Sequence, residues 1–186
     1  LCGMAIFVFG SNYFTVFPTN RNLAYNAVLS TVFLVTAIWL KRNERLANYW
    51  QVVFAFFIAS FAFLFTSFFG RLSLGNIVLG WFNLTTATSQ GIAIAKLYET
   101  VMIAIPIIVL TKLSGADLGT IYLQRGNLKW GLGIGMLVLF NFASFALLFF
   151  GIRYTSGNEL GAAVLWGLVF SFANSFMEEL WLRGIF

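Results

Sequence analysis

Histidine is absent from all 186 residues. That removes Ser-His-Asp catalysis, Cys-His catalysis and any histidine-based metal site from the chain itself. Cys2 is the single cysteine, so there is neither a disulfide framework nor a cysteine-based metal centre. It reads as a small inert hydrophobe. Charge is also scarce, at 9% of residues against 60% hydrophobic, with a mean hydropathy of +0.89. A soluble domain carries about 25% charged residues. A chain this poor in charge cannot cover its own surface in water, and the solvent it matches is lipid.

The net charge of +5 does not point to nucleic acid. No continuous basic face exists, and the basic residues sit mostly in short gaps between apolar runs, where Lys and Arg mark membrane topology. The first apolar run ends in Thr19-Asn20-Arg21-Asn22 rather than a small-residue cleavage site, so it reads as a span and not a signal peptide. The chain begins at Leu1 and stops at Phe186 inside an apolar run, and we expect both ends to be cut.

Six apolar runs approach the roughly 20 residues a spanning helix needs. They lie near Leu1–Phe17, Leu23–Leu40 and Val52–Phe69, around Val101–Leu110, and near Trp130–Ile152 and Leu160–Phe186. Pro18 closes the first, and Pro106 should kink the fourth. Phe54-Ala55-Phe56-Phe57 has strand propensity. An open strand in lipid leaves backbone groups unpaired, so helix prevails. The stretch from Arg71 to Gln90 mixes glycine and asparagine with Trp81 and Phe82, and suits an interfacial or re-entrant segment. Asn83-Leu84-Thr85 matches a glycosylation sequon, a pattern short enough to arise by coincidence. The expected fold is therefore all-α, a multi-pass bundle of about six spans. Residues 1–110 form the N-terminal membrane helices, and residues 111–186 form a polar connector with two further helices.

Lys41, Arg42 and Arg45 fill the gap after the second span, and Lys112, Arg125 and Lys129 the gap after the fourth. Two spans separate these gaps, so both fit the cytoplasmic side, with the N-terminus inside. Gly131/Gly135 and Gly157/Gly161 have the spacing that lets helix backbones approach closely.

Glu178, Glu179 and Arg183 lie inside the last apolar run. One ionisable group at a span's centre costs about 2.5–3.5 kcal/mol on insertion scales, so three imply either a buried ion pair or a reaction. At 3.6 residues per turn, Glu179 and Arg183 share a face and should pair, while Glu178 points about 100° away, toward a partner not on this helix. Asn174, Ser171 and Gly167 precede Glu178 at helical steps, a polar stripe suited to a cavity wall or a tight helix contact. An inert Glu–Arg clamp beside a protonated second glutamate explains these residues as readily as catalysis does.

Phe176-Met177-Glu178-Glu179-Leu180-Trp181-Leu182-Arg183-Gly184 reads EExxxRG, late in an apolar helix. It resembles the first motif of the CPBP intramembrane proteases, the superfamily of type II CAAX prenyl proteases and of bacteriocin-processing or self-immunity proteins. Residues 113–126 are similar to the polar connector that this family places before its core helices. The resemblance implies a peptide-bond hydrolase acting in the bilayer. Its first glutamate activates a water together with a histidine from a following FxxxH helix, and a later HxxxN helix supports the oxyanion. Carried over, Glu178 is the general base, Glu179 a second active-site carboxylate, and Arg183 its structural ion-pair partner, with Ser171 and Asn174 lining the cavity. A divalent metal such as zinc is a cofactor the resemblance allows, without a complete site in this chain. The implied partners are the bilayer and a peptide or protein substrate, prenylated or a leader peptide. The histidine motifs are missing, which leads us to expect a chain cut after the first motif. A non-enzymatic membrane protein, part of a transporter or an immunity-type interaction protein, is the competing expectation.

Overall fold

The structure is a computed structural model. It describes residues 2–10, 17–121, 123, 127, 129–130, 133–137, 140–141 and 157–183, the side chains of 19, 20, 157–160, 182 and 183 excepted. Among the described residues every regular element is helical. Three helices are long and apolar enough to cross a membrane: Arg21–Arg42, Ala47–Arg71 and Ser89–Leu113. They coincide with the second, third and fourth expected spans. Most of the fifth expected span, and residues 1 and 11–16 of the first, lie outside the described residues. The sixth corresponds to the helix Gly157–Glu178 and its continuation.

The chain opens with α1 (Cys2–Met4), which widens at once into a π-helical stretch, Ala5–Phe9. Next comes α2 (Thr19–Arg42), whose first amides, those of Arg21 and Asn22, bond to the Pro18 carbonyl at 2.8 and 3.0 Å. The two N-terminal stretches are held together by polar groups. Tyr25 donates its hydroxyl to the Ala5 carbonyl (3.0 Å), and Asn26 Nδ2 donates to the Gly10 carbonyl (2.8 Å) and to Asn22 Oδ1 (2.7 Å). Both asparagines are buried. A buried amide is costly unless bonded, and here the Asn26 NH₂ group is satisfied by a backbone carbonyl and by Asn22, while among the described residues its Oδ1 has no partner.

Helices α2 and α3 (Trp50–Arg71) run antiparallel. Ser30 donates to Ser60 Oγ at 3.1 Å, and Ser60 donates on to the Phe57 carbonyl at 3.0 Å, deep between the helices. Phe33 stacks on Phe56 one turn away. Small hydroxyl side chains of this kind permit close approach and add a bond that lipid cannot replace.

The stretch between the second and third of these spans holds α4 (Leu74–Trp81), an eight-residue helix. At 1.5 Å per residue it reaches only about 12 Å, too short to span. Ser73 and Asn83 on either side adopt left-handed backbone, φ 53° at both. At Gly75 α4 faces the Tyr98 ring, and Trp81, 74% exposed, projects outward.

Helix α5 (Ser89–Leu113) starts on a capped turn: Thr88 accepts the Gly91 amide at 3.1 Å and donates to the Thr85 carbonyl. It runs unbroken through Pro106, which is buried. A 3₁₀ turn, Leu118–Ile121, follows. Finally α6 (Gly157–Glu178) passes without interruption into π-helical Glu179–Arg183.

Each long helix packs on the one before it, α3 between α2 and α5, and α5 between α3 and α6. One apolar cluster joins them, from Ile6 through Phe57, Ala59 and Ala62 to Ile107, Ile121, Met177 and Trp181. At Gly135 and Gly161 no described atom comes within 4 Å of where a side chain would begin. Among the described residues, then, these two members of the GxxxG pairs do not serve close helix packing.

Candidate functional site

Helix α6 has two unlike faces. Ala173, Met177, Leu180 and Trp181 are buried, at the i, i+4, i+7, i+8 spacing of an amphipathic helix. The Thr100 hydroxyl on α5 lies 3.0 Å from the Ala173 carbonyl and 2.9 Å from its own helix's Lys96 carbonyl. Stepping C-terminally from that contact, Ile103, Ala104 and Ile107 of α5 enter the same cluster as Met177, Leu180 and Trp181 of α6. The two helices therefore run in the same direction. Trp181 sits between Phe63 and Phe7, ring centroids 4.0 and 5.6 Å away.

The outer face carries the polar residues. Ser171, Ser175, Glu178 and Glu179 are exposed and Asn174 is half-buried. Asn174 Nδ2 donates to Glu178 Oε1 at 2.8 Å. This corrects one expectation: Glu178 does find a partner on its own helix, one turn back, because Asn174 and Glu178 stand at i and i+4. The polar stripe corrects a second. Ser171 and Gly167 face outward, and a side chain at Gly167 would meet open space, so the stripe is not a tight helix contact among the described residues. Ser171 is exposed rather than set in the wall of an enclosed cavity.

Glu179 lies next round the helix, exposed, and makes an interaction of its own. The Arg183 side chain falls outside the described residues, and with it the expected Glu179–Arg183 pair. The backbone there differs from the expectation. From Glu179 onward the helix is π, with bonds reaching five residues instead of four. Such turns are rare and occur often at functional sites.

Sequence reasoning missed the groups that hold the site from behind. Trp181 lies inside the quoted motif yet points away from the carboxylates, and only its i+4 step from Met177 marked it as core. Thr100 left the weak sign of a hydroxyl in an apolar helix. Lys96 and Glu99 form an ion pair at 3.0 Å within α5, with side chains 12% and 32% exposed. Their i, i+3 spacing places the two side chains on one face of the helix.

Among the described residues the donor set falls short of a metal site. A catalytic zinc takes three protein ligands. Among the described residues no group of three His, Cys, Asp or Glu side chains is placed to hold an ion. Glu178 and Glu179 supply carboxylates only, so no step is derived through a metal. No protein-family model, curated protein or solved structure matches the chain.

Proposed function

We propose that this chain is the glutamate-bearing part of a multi-pass intramembrane endopeptidase of the CPBP type, with Glu178 as the general base. The observation that carries the reading is the paired carboxylates of the EExxxRG motif at the point where an apolar helix turns from α to π. A regular helix would have held the same apolar face at lower cost, so a rare turn beside two acids argues for a role beyond packing.

Glu178 is suited to the task. It is accessible, and one oxygen is held by Asn174 while the other remains for a water. A base must lie within about 2.6–3.2 Å of the proton it takes, and an accessible carboxylate of fixed rotamer meets that geometry once substrate arrives. Because α6 runs the same way as α5, Glu178 lies toward the helix end that carries Lys112, the end we assign to the cytoplasm. The reaction is attack of a Glu178-activated water on a peptide carbonyl. The chain has no histidine. The histidine groups implied by the family resemblance must come from outside these 186 residues, on a longer form of the chain or on a second polypeptide.

The lack of histidine is also the observation that favours a second reading, a non-enzymatic membrane protein using Glu179 and Arg183 as a structural clamp. One experiment separates them. In the complete protein, Glu178→Gln keeps size and loses basicity. It should abolish cleavage of a membrane peptide substrate while insertion and yield stay unchanged. Wild-type cleavage by this variant would reject the protease reading.

A further inference from the structure

A cavity of about 810 Å³ opens at the other side of the bundle, between the start of α3, the end of α5 and the first residues of the chain. Its volume is within the range of about 300–1,000 Å³ typical of ligand pockets. Trp50, Phe54 and Ile121 supply apolar wall, and Gln51, Thr111 and Ser114 supply polar groups.

Thr111 is the informative residue. Thr31, Thr36, Thr66 and Thr100 each donate back to the carbonyl four residues earlier, at 2.7–2.9 Å, as a helical threonine normally does. Thr111 does not. It is 3% exposed, and its Oγ1 is buried without a partner. A buried hydroxyl in that state is costly unless something else bonds it. Its side chain borders the cavity, and rotation about χ1 would turn the hydroxyl toward an acceptor lodged there.

A cation stands beside the same wall. Lys41 Nζ lies 4.5 Å from the centre of the Trp50 ring. A small neighbouring cavity that includes Lys41 shares Trp50, Phe54 and Ser114 with the large one. Arg42, Arg45 and Lys112 belong to the same end of the helices. Apolar walls, a free hydroxyl donor, an amide and an ammonium ion together match an amphiphile with an anionic head. In a chain whose long helices are apolar enough to cross a membrane, basic pockets between helices at this level suit lipid head groups.

We propose that this cavity is a binding site for an anionic phospholipid. The phosphate region sits at Gln51, Thr111 and Ser114, on the Trp50 wall that this cavity shares with the one holding Lys41, and an acyl chain lies along Phe54 and Ile121. The site is separate from Glu178 and does not depend on the protease reading.

The test uses the whole chain reconstituted in phosphatidylcholine vesicles. Brominated phosphatidylglycerol is compared with brominated phosphatidylcholine as a quencher of tryptophan fluorescence, and Trp50→Phe identifies the share due to Trp50. We expect Trp50 to be quenched at about fivefold lower mole fraction of the anionic lipid, the preference one lysine near an anionic head group supplies. Lys41→Gln should remove the preference, and Ala55→Phe, which fills the cavity, should remove it too. If Ala55→Phe does not fold, Thr111→Val keeps the shape, loses the hydroxyl and should weaken the preference. Arg45→Gln should leave the preference intact. Equal quenching by the two lipids would overturn the proposal. So would a preference that survives Lys41→Gln, or one lost equally in Arg45→Gln, which would indicate a diffuse surface field.

Discussion

The rings of Phe63 and Trp181 lie with centroids 4.0 Å apart and planes at 72°, an edge-to-face contact that ties the far end of the chain to the middle of α3. Phe7 closes on the same indole, so both π-helical stretches meet the bundle through one tryptophan. The inner side of the motif is thus packed as core while its outer side stays accessible.

That contact predicts the effect of changing Trp181. Trp181→Ala removes a buried aromatic and should lower stability by about 3–5 kcal/mol, seen as a lower Tm and reduced yield in detergent. Trp181→Phe should be far milder. Among the described residues the buried indole Nε1 has no partner, so losing it offsets part of the lost volume. Equal Tm losses for the two variants would argue against a packing role.

The hydroxyl pair between α2 and α3 allows a quantitative check. A double-mutant cycle on Ser30→Ala and Ser60→Ala should give a coupling of about 0.6 kcal/mol, the average for such bonds within membranes. Ser60→Leu should cost much more, because Ser60 has no exposed surface and the helices have no room to separate. A zero coupling would place the hydrogen bond outside the stability of the pair.

Gly91 is a third site. A side chain there would overlap the Thr85 carbonyl, which belongs to the turn that caps α5. Gly91→Ala should therefore displace that turn and destabilise the fold by about 1–3 kcal/mol, as overpacking does. Gly80, where a side chain would meet open space, is the control, and Gly80→Ala should be silent. Proteolysis at residues 84–88 should rise in the Gly91 variant alone.

Asn174 tests the site itself. If Glu178 is the base, Asn174→Ala frees the carboxylate it holds and should lower kcat by about tenfold or more, the value of one bond to a charged group. KM and folded yield should change little, since Asn174 is only half-buried. A change confined to yield would assign the residue to structure.

How much of this was legible in the sequence depends on what each segment has to satisfy. The helices α2, α3 and α5 were readable because length and apolarity are local properties. The short helix at Leu74–Trp81 was readable as something less than a span because glycine and asparagine break the apolar run. The roles of Asn22, Asn26 and Thr111 were not. Each looks like a stray polar residue in an apolar helix, and its meaning lies in a carbonyl or a cavity contributed by distant chain. The Glu178 face is legible from helical spacing, yet its bond to Asn174 is not, since an i, i+4 pair on an apolar helix does not fix which rotamer each side chain takes. The π turn left no trace in the apolar periodicity at all.

Among the described residues each long helix packs chiefly on the long helix described before it, and this bears on biogenesis. As the ribosome delivers the chain in order, every new helix finds a finished surface to dock against. The segment with Glu178 and Glu179 emerges late, when Thr100 and the aromatic seat around Phe63 already exist. Its two acids therefore need not be held in lipid on a solitary helix. Among the described residues the face they occupy is exposed, so a further helix can be added there without disturbing the packed side.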